Sequence, residues 1–314
     1  MSELTEGILA PVPCFFDENE EIDYAAFTEH VVRLAVAGVM PVVSGSMGEA
    51  IHLERDERIK LIKETRKALD AADLDSIPIM AGAGGLSTKQ AIQFATDAAE
   101  AGAVSVLVIA PGYYGLGEAN LTDYYTKIAA ASPIPVLIYN FPAVSGGIDM
   151  SSDLILEIAS KSPNVVGCKL TCASVAKLGR IAQTPLPPRT TGKPFLALCG
   201  FLDFLLPGIT VGAGGSITGV ANFAPKTCQK LWNMCQQPLT GETLKEINAL
   251  HLITANADAV ASKAGIAGVK GLLHELYGTP ANVRSPLLAA PKDAVSELVN
   301  NPAIVRVLEV EKSL

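Results

Sequence analysis

Short runs of apolar residues alternate along the chain with longer segments in which apolar residues recur every three or four positions. The apolar runs are rich in Val and Ile and are bounded by Gly, Pro or Ser, which is typical of buried β-strands. They predict strands at 8–16, 39–46, 77–84, 105–111, 135–141, 165–171, 195–200 and 214–218. The amphipathic segments predict helices near 23–37, 54–71, 88–101, 118–131, 151–161, 174–183, 202–206 and 221–237.

Strands that are each followed by a helix are typical of a parallel sheet with its outer face covered. Eight such units match the span of a (β/α)₈ TIM barrel, which is the predicted α/β fold. A doubly wound open sheet is the alternative, because periodicity does not show whether a sheet closes. We expect residues 1–238 to form the barrel. Residues 239–314 should form a helical C-terminal extension packed on it, with breaks at Pro280, Pro286 and Pro302.

Composition and charge exclude several classes of protein. Hydrophobic residues make up 49% of the 314 residues and charged residues 18%, as in a globular protein with a large core. The net charge is −8 without a Lys/Arg cluster, which argues against nucleic acid or an anionic membrane surface as a partner. The first residues, MSELTEG, do not resemble a signal peptide, and Asp203 and Pro207 interrupt the apolar stretch 195–215. We therefore expect a cytoplasmic location.

Sequence patterns typical of metal and nucleotide sites do not occur. The four histidines lack HxH or HExxH spacing, the six cysteines form no CxxC pair, and there is no GxSxG or GK[ST] motif. Glycine-rich stretches at 81–85 and 212–215 lack GxGxxG spacing, so close packing of strand against helix explains them better than a dinucleotide site. We therefore expect no metal and no cofactor, and reduced cysteines.

Lys169 stands out because it lies in the apolar run 165–171 with no acidic residue nearby in the sequence. Burying an ammonium group is costly, so such a lysine is often kept for chemistry. From placement alone, a strand-end lysine that reaches solvent is an equally good interpretation. The C-terminal ends of barrel strands line the active site, which also selects Tyr139 and Tyr113. A lysine beside a phenol suggests an amine that forms an imine with a ketone while the phenol moves protons.

The segment Gly45-Ser46-Met47-Gly48-Glu49 follows the second predicted strand. Its backbone N–H groups and its hydroxyl suit a carboxylate or a phosphate, and an ordinary glycine turn is the alternative. Cys168 and Cys172 flank Lys169 and could suggest a thiol site. Because side chains alternate along a strand, we expect Cys168 to lie on the face opposite Lys169 and to pack in the core.

The motifs APVPCFF, GSMGE, PGYY, YNFP, GCKLT and GGSITGVAN occur in order along nearly the whole chain. Together they resemble the dihydrodipicolinate synthase / N-acetylneuraminate lyase family of class I aldolases. The resemblance implies a Schiff base on Lys169, acid/base catalysis by Tyr139, and a dimer or tetramer in which Tyr113 is lent to a neighbouring subunit. It implies that Ser46 and the Met47 amide receive the carboxylate of a 2-keto acid. The residues carried over for substrate binding are Ser46, Met47, Gly48, Thr171, Gly200, Asp203, Ser216 and Ile217.

Departures from the family pattern narrow the expected substrate. The synthases carry two threonines where this chain has Ser46 and Met47, and an arginine that grips a second carboxylate where it has Val144. Sialic acid lyases carry an acidic pair after the seventh strand, where this chain has only Asp203. The remaining resemblance is to aldolases of 2-keto-3-deoxy sugar acids, where Thr171 would lie near substrate hydroxyls. Within that branch it is to the fungal enzymes that cleave 2-keto-3-deoxy-L-galactonate to pyruvate and L-glyceraldehyde.

Several alternatives stay open at this point. A 4-hydroxy-2-oxoglutarate aldolase belongs to the same branch, and a true dihydrodipicolinate synthase, which condenses pyruvate with aspartate semialdehyde, is disfavoured by Val144. A barrel that binds keto acids without catalysis is an alternative of another class, and Lys169 and Tyr139 argue against it. A dinucleotide-dependent oxidoreductase would have to depend on the weak glycine stretches.

Overall fold

Residues 3–314 are described by a computed structural model, in which parallel strands close into a barrel in sequence order. The strands are β1 (Gly7–Pro11), β2 (Met40–Val43), β3 (Met80–Gly82), β4 (Ser105–Ile109), β5 (Val136–Asn140), β6 (Val165–Leu170), β7 (Leu196–Cys199) and β8 (Gly215–Ile217). β8 pairs with β1 through Gly215 and Gly7, which closes the sheet. The predicted closed barrel is confirmed, and the open sheet is excluded.

Helices follow the strands and form an outer ring around the barrel. They are α1 (Tyr24–Val36), α2 (Arg55–Ala71), α3 (Thr88–Glu100), α4 (Glu118–Ala131), α5 (Ser152–Lys161), α6 (Val175–Gln183), α7 (Leu205–Thr210) and α8 (Pro225–Cys235). Short 3₁₀ turns at 50–52, 142–144 and 219–222 follow β2, β5 and β8. Many helices begin at a side chain that accepts a first-turn N–H, namely Asp23, Ser87, Ser151 and Ser174.

Strand side chains alternate between an inner core and an outer core under the helices. The inner core contains Leu9, Met40, Val42, Met80, Leu107, Leu137, Tyr139, Val166, Leu198 and Ile217. The pairing of β5 with β6 contains a bulge, because Val136 pairs with Val165 whereas Leu137 pairs with Gly167. Beyond the bulge, Lys169 pairs directly with Tyr139. Cys168 lies in the outer core, as predicted.

The ends of several elements differ from the prediction. The first strand ends at Pro11 instead of residue 16, because Pro11 and Pro13 lack the N–H that a strand needs for pairing. The helix predicted at 202–206 lies at Leu205–Thr210. Pro207 is tolerated there because it lies in the first turn, where N–H groups have no partner within the helix.

The C-terminal extension consists of α9 (Gly241–Tyr277), α10 (Lys292–Val299) and α11 (Pro302–Lys312). Helix α9 packs against α7, α8 and the turn at 219–222, and it is kinked at Gly265, whose φ is 66°. Pro280 and Pro286 lie between α9 and α10 as predicted, whereas Pro302 begins α11, where its fixed φ suits the first helical position. The predicted helical extension is confirmed, and its boundary at residue 239 stays a prediction.

The carboxylate of Glu311 in α11 accepts the N–H groups of Lys226 and Thr227, so α11 caps the start of α8. Within residues 3–314, no helix is both long enough and apolar enough to cross a membrane.

Candidate active site

Lys169 and Tyr139 lie side by side inside the barrel, near the C-terminal ends of β6 and β5. The Lys169 Nζ donates a hydrogen bond of 3.3 Å to the Tyr139 hydroxyl and lies 4.4 Å from the centre of its ring. Lys169 is 4% exposed and Tyr139 5%. Among residues 3–314 the Lys169 amine forms no ion pair, so a buried amine and a buried phenol contact each other without a neutralising carboxylate.

Apolar side chains surround this pair. Leu137 and Val166 belong to the same inner core as Tyr139. The Phe141 ring stacks on the Tyr139 ring at 5.7 Å between centres, and Phe201 meets Phe141 edge-on at 6.5 Å. Apolar walls exclude water, so the amine does not have to shed a full hydration shell before it attacks a ketone.

The segment 45–49 forms a tight loop after β2. The Gly48 N–H donates to the Gly45 carbonyl oxygen at 3.0 Å, and a Cβ at Gly48 would come within 2.8 Å of a carbonyl oxygen just beyond β1. Ser44, just before the loop, and Glu49, its last residue, have φ values of 56° and 52°, which lie in the left-handed region. Among residues 3–314, the backbone N–H groups of Ser46 and Met47 have no protein acceptor, which leaves them free for a ligand.

The residues predicted at the ends of β6, β7 and β8 differ in whether their side chains form hydrogen bonds. The Thr171 hydroxyl is buried and has no hydrogen-bond partner among the described residues. Gly200 lies so close to it that a Cβ there would be 2.1 Å from Thr171 Oγ1. The Ser216 hydroxyl donates to two carbonyl oxygens at the end of β7 and in the following loop, and Ile217 belongs to the inner core. The Thr171 hydroxyl is thus buried without a partner among the described residues, whereas the Ser216 hydroxyl links β8 to the end of β7.

Asp203 lies in the loop after β7 with an exposed side chain. Its backbone N–H and that of Leu202 donate to the carboxylate of Asp258 in α9. Burial raises the pKa of Asp258 to about 7, with the nearby Asp203 charge adding to the rise. The backbone of this loop is therefore attached to the C-terminal extension. The predicted role of Asp203 in substrate binding stays a prediction.

Tyr113 is the predicted catalytic residue that lies outside the buried pair. It is 83% exposed in the loop between β4 and α4, and its ring meets Tyr114 edge-on at 5.0 Å. Val144, at the position of the missing arginine, is 52% exposed in the turn after β5. In the described chain neither residue contacts Lys169 or Tyr139 through a hydrogen bond.

Sequence reasoning missed two buried polar groups beside the site. Glu49 and Lys270 form an ion pair of 2.9 Å with both side chains fully buried. Asn140, directly after Tyr139 in β5, donates to Asp149 at 2.7 Å, and Asp149 also pairs with Lys177. A signal was present for Lys270, because it lies in the apolar run GVKGLL, just as Lys169 lies in an apolar strand.

Metal ligands and cavities do not suggest another site. In the part of the chain from residue 3 onward, no three His, Cys, Asp or Glu side chains are grouped so as to hold a metal ion. Cavities of about 470 and 970 Å³ lie at the N-terminal ends of the strands, beside Ile8 and Met40 in one case and Val104 and Pro135 in the other. They are at the end of the barrel opposite Lys169, so they do not belong to the candidate active site.

Curated relatives resemble this chain over nearly its whole length. The L-threo-3-deoxy-hexylosonate aldolase of Hypocrea jecorina is 39% identical, and the match covers 98% of each chain. A protein of Emericella nidulans named "Probable 4-hydroxy-2-oxoglutarate aldolase, mitochondrial" is 38% identical, with 99% of this chain and 97% of that protein covered.

Solved structures and a family model agree with these relatives. A dihydrodipicolinate synthase family protein from Coccidioides immitis superposes with a TM-score of 0.86 at 35% identity, covering 99% of this chain and 98% of that chain. YagE from E. coli, solved in complex with pyruvate, gives a TM-score of 0.85 at 25% identity, covering 98% and 99%. The model of the dihydrodipicolinate synthetase family matches residues 4–302. The predicted resemblance is confirmed, and the chain belongs to the dihydrodipicolinate synthetase family.

Proposed function

We propose that this protein is a class I aldolase that cleaves a 2-keto-3-deoxy sugar acid to pyruvate and an aldehyde through an imine on Lys169. The observation that carries the proposal is the buried hydrogen bond between the Lys169 amine and the Tyr139 hydroxyl. The L-threo-3-deoxy-hexylosonate aldolases of Hypocrea jecorina and Aspergillus niger support 2-keto-3-deoxy-L-galactonate as substrate, with L-glyceraldehyde as the second product. The structure of YagE in complex with pyruvate supports pyruvate as a ligand of this protein as well.

The reaction begins with attack of the Lys169 amine on the C2 carbonyl. Tyr139 gives its proton to the departing hydroxyl, so that water leaves and an iminium forms. The Tyr139 phenolate then takes the proton of the C4 hydroxyl while the C3–C4 bond breaks. The electron pair of that bond moves into the iminium, which releases the aldehyde and leaves an enamine. Tyr139 returns the proton to C3, and hydrolysis of the new iminium frees pyruvate and Lys169.

The substrate is held at the rim of the barrel. The Ser46 hydroxyl and the free N–H groups of the 45–49 loop bind the C1 carboxylate, for which Gly48 provides the close backbone approach. The unpartnered Thr171 hydroxyl binds a hydroxyl group of the sugar acid, and the loop with Gly200 and Asp203 borders the far end. Because the iminium is the electron sink, the reaction needs no metal and no nucleotide cofactor.

Tyr113 acts from a neighbouring copy of the chain. Its exposure of 83% leaves the ring free to enter another subunit's barrel mouth, where it relays protons between solvent and Tyr139. This arrangement requires a homo-oligomer, a dimer or a tetramer. We place the enzyme in the cytoplasm, with small 2-keto acids rather than nucleic acids or membranes as its partners.

Borohydride trapping tests the covalent intermediate. Pyruvate plus borohydride should attach a stable adduct to the peptide that contains Lys169, detectable by mass spectrometry, and activity should be lost. Lys270 is an internal control, because it is also buried but is paired with Glu49. An adduct on another lysine would contradict the assignment. No adduct at all would favour a barrel that binds keto acids without catalysis.

A comparison of two reactions tests the substrate. Condensation of pyruvate with aspartate semialdehyde needs a cation where Val144 stands, and the missing charge-assisted contact is worth roughly 1.5–3 kcal/mol, or about one to two decades in kcat/KM. Pyruvate release from 2-keto-3-deoxy-galactonate, 2-keto-3-deoxy-gluconate or 4-hydroxy-2-oxoglutarate should therefore exceed condensation by at least that margin. The Emericella nidulans relative makes 4-hydroxy-2-oxoglutarate the second candidate. Lactate dehydrogenase coupling measures all of the cleavage reactions, and faster condensation would assign the protein to the synthase branch.

A further inference from the structure

A buried ion pair joins the loop after β2 to the C-terminal extension. Glu49 Oε1 accepts a hydrogen bond from the Lys270 Nζ at 2.9 Å, and both side chains are fully buried. Glu49 Oε2 accepts the backbone N–H of Arg284, also at 2.9 Å. The Lys270 Nζ lies over the Phe16 ring, 4.6 Å from its centre. Both oxygens of the Glu49 carboxylate are thus used by residues that lie more than two hundred positions later in the chain.

The charged pair holds one end of the loop that is proposed to bind the substrate carboxylate, and neither charged group points to a role in the reaction itself. Glu49 is the last residue of the 45–49 loop, two positions after Met47. Its φ of 52° and that of Ser44, 56°, are uncommon for residues with a side chain, and such conformations persist only where surrounding contacts enforce them. The Glu49 carboxylate supplies such contacts at one end of the loop.

Helix α9, which carries Lys270, also holds the loop after β7 on the other side of the site. Asp258, about two turns before the kink at Gly265, accepts the N–H groups of Leu202 and Asp203 in the loop after β7. Lys270 lies after the kink. Helix α9 therefore fastens two loops of the barrel mouth with two buried side chains on either side of its bend.

We propose that the Glu49–Lys270 ion pair positions the 45–49 loop so that its free N–H groups meet the carboxylate of the 2-keto acid. The inference depends on the proposed function, because the ligand is that substrate's carboxylate. Removal of Lys270 leaves the buried Glu49 carboxylate without its lysine partner. Because an unpaired buried charge is strongly destabilising, the segment that carries Glu49 should shift to relieve it. Neither Glu49 nor Lys270 touches the reacting atoms, so both are positioning residues.

Steady-state kinetics of Lys270→Met give the first test. Because the carboxylate is held alike before and during bond cleavage, loss of its receptor should raise KM by about tenfold while kcat changes by less than about threefold. Asp97→Asn is the matched control. It breaks the ion pair with Arg55 between α2 and α3, which does not involve the 45–49 loop. This control should lose stability and keep the KM of the wild type.

Borohydride trapping with two ligands separates positioning from general damage. Pyruvate has the carboxylate, and pyruvamide replaces it with a neutral amide. In Lys270→Met the pyruvate concentration that gives half of the maximal adduct should rise by about tenfold, whereas the pyruvamide concentration should change by less than about twofold, since charge-assisted hydrogen bonds are the stronger ones. An unchanged value for pyruvate, or an equal rise for both ligands, overturns the inference.

The outcomes for the two proposals are distinct. Absence of any adduct in the wild type overturns the proposed function, whereas a normal wild-type adduct with an unaltered Lys270→Met overturns only the positioning role. If Lys270→Met does not fold, the double variant Glu49→Gln/Lys270→Met buries no unpaired charge and is measured in the same way. Failure of the double variant to fold would assign the pair to folding and overturn the positioning role.

Discussion

Two pairs of residues near the mouth of this barrel differ in how firmly a single chain holds them in place. Lys169 and Tyr139 come from neighbouring strands, are about 95% buried and contact each other directly. Tyr113 and Tyr114 come from the loop after β4, are 83% and 72% exposed, and contact each other edge-on. Strands fix the first pair by register, whereas nothing within residues 3–314 fixes the second over the site. In the function we propose, bond cleavage therefore uses two residues that one chain holds together, whereas the proton relay through Tyr113 needs a second copy of the chain.

Replacement of Lys169 should have the largest effect. Lys169→Arg keeps a positive charge but removes the nucleophilic amine, so pyruvate release should fall by about 10⁴-fold or more. Circular dichroism should show an intact fold, and borohydride should no longer trap pyruvate on this peptide. Substantial turnover in this variant would mean that the buried pair is not where cleavage occurs.

Tyr139→Phe should have the next largest effect. The ring and its stacking on Phe141 remain, but the proton-transfer group is lost, so kcat should fall by about 10²–10⁴-fold. Single-turnover trapping should still detect some imine, since the Lys169 amine is unchanged. A near-native kcat would transfer the proton-transfer role to another group, and loss of fold without a specific loss of kcat would indicate packing alone.

Tyr113→Phe should have a smaller effect, because in the proposed function its hydroxyl only relays protons to Tyr139. We expect kcat to fall by about tenfold, below the usual 10²–10⁴-fold range of direct acid/base groups. Tyr114→Phe is the matched control, since it is a neighbouring exposed tyrosine, and it should leave kcat within about twofold of wild type. Sedimentation should show the active species to be an oligomer. A fully active monomer would show that Tyr113 is not needed from a second copy of the chain.

Cys168→Ala should have the smallest effect on catalysis. Cys168 is adjacent to Lys169 in β6 but belongs to the outer core, so kcat should stay within about twofold. Loss of the buried thiol should lower the free energy of unfolding by about 1 kcal/mol, measured by denaturant titration. A large loss of kcat with unchanged stability would indicate that the thiol reaches the site.

The fold could be predicted because its strands are local apolar runs and its helices carry local capping residues. Because the C-terminal ends of barrel strands line the active site, the sequence positions of Lys169 and Tyr139 also predicted that the two side chains lie in one place. Contacts between distant segments could not be predicted in this way. The bulge beside Val166 arises from pairing with β5, and the partner of Glu49 lies 221 residues later. The helix predicted at 202–206 ended before Pro207, whereas α7 contains Pro207 in its first turn.

The distance in sequence between Glu49 and Lys270 has a consequence for the newly made protein. Chains emerge from the ribosome N-terminus first at about 5–20 residues per second. Lys270 is therefore synthesised about ten seconds or more after Glu49. By then all eight strands, including the one with Lys169, have been synthesised. A chain that stops before α9 would carry the reactive amine without either of the side chains that fasten the mouth loops. Synthesis of about the last quarter of the chain therefore completes the contacts of the mouth loops as well as the fold.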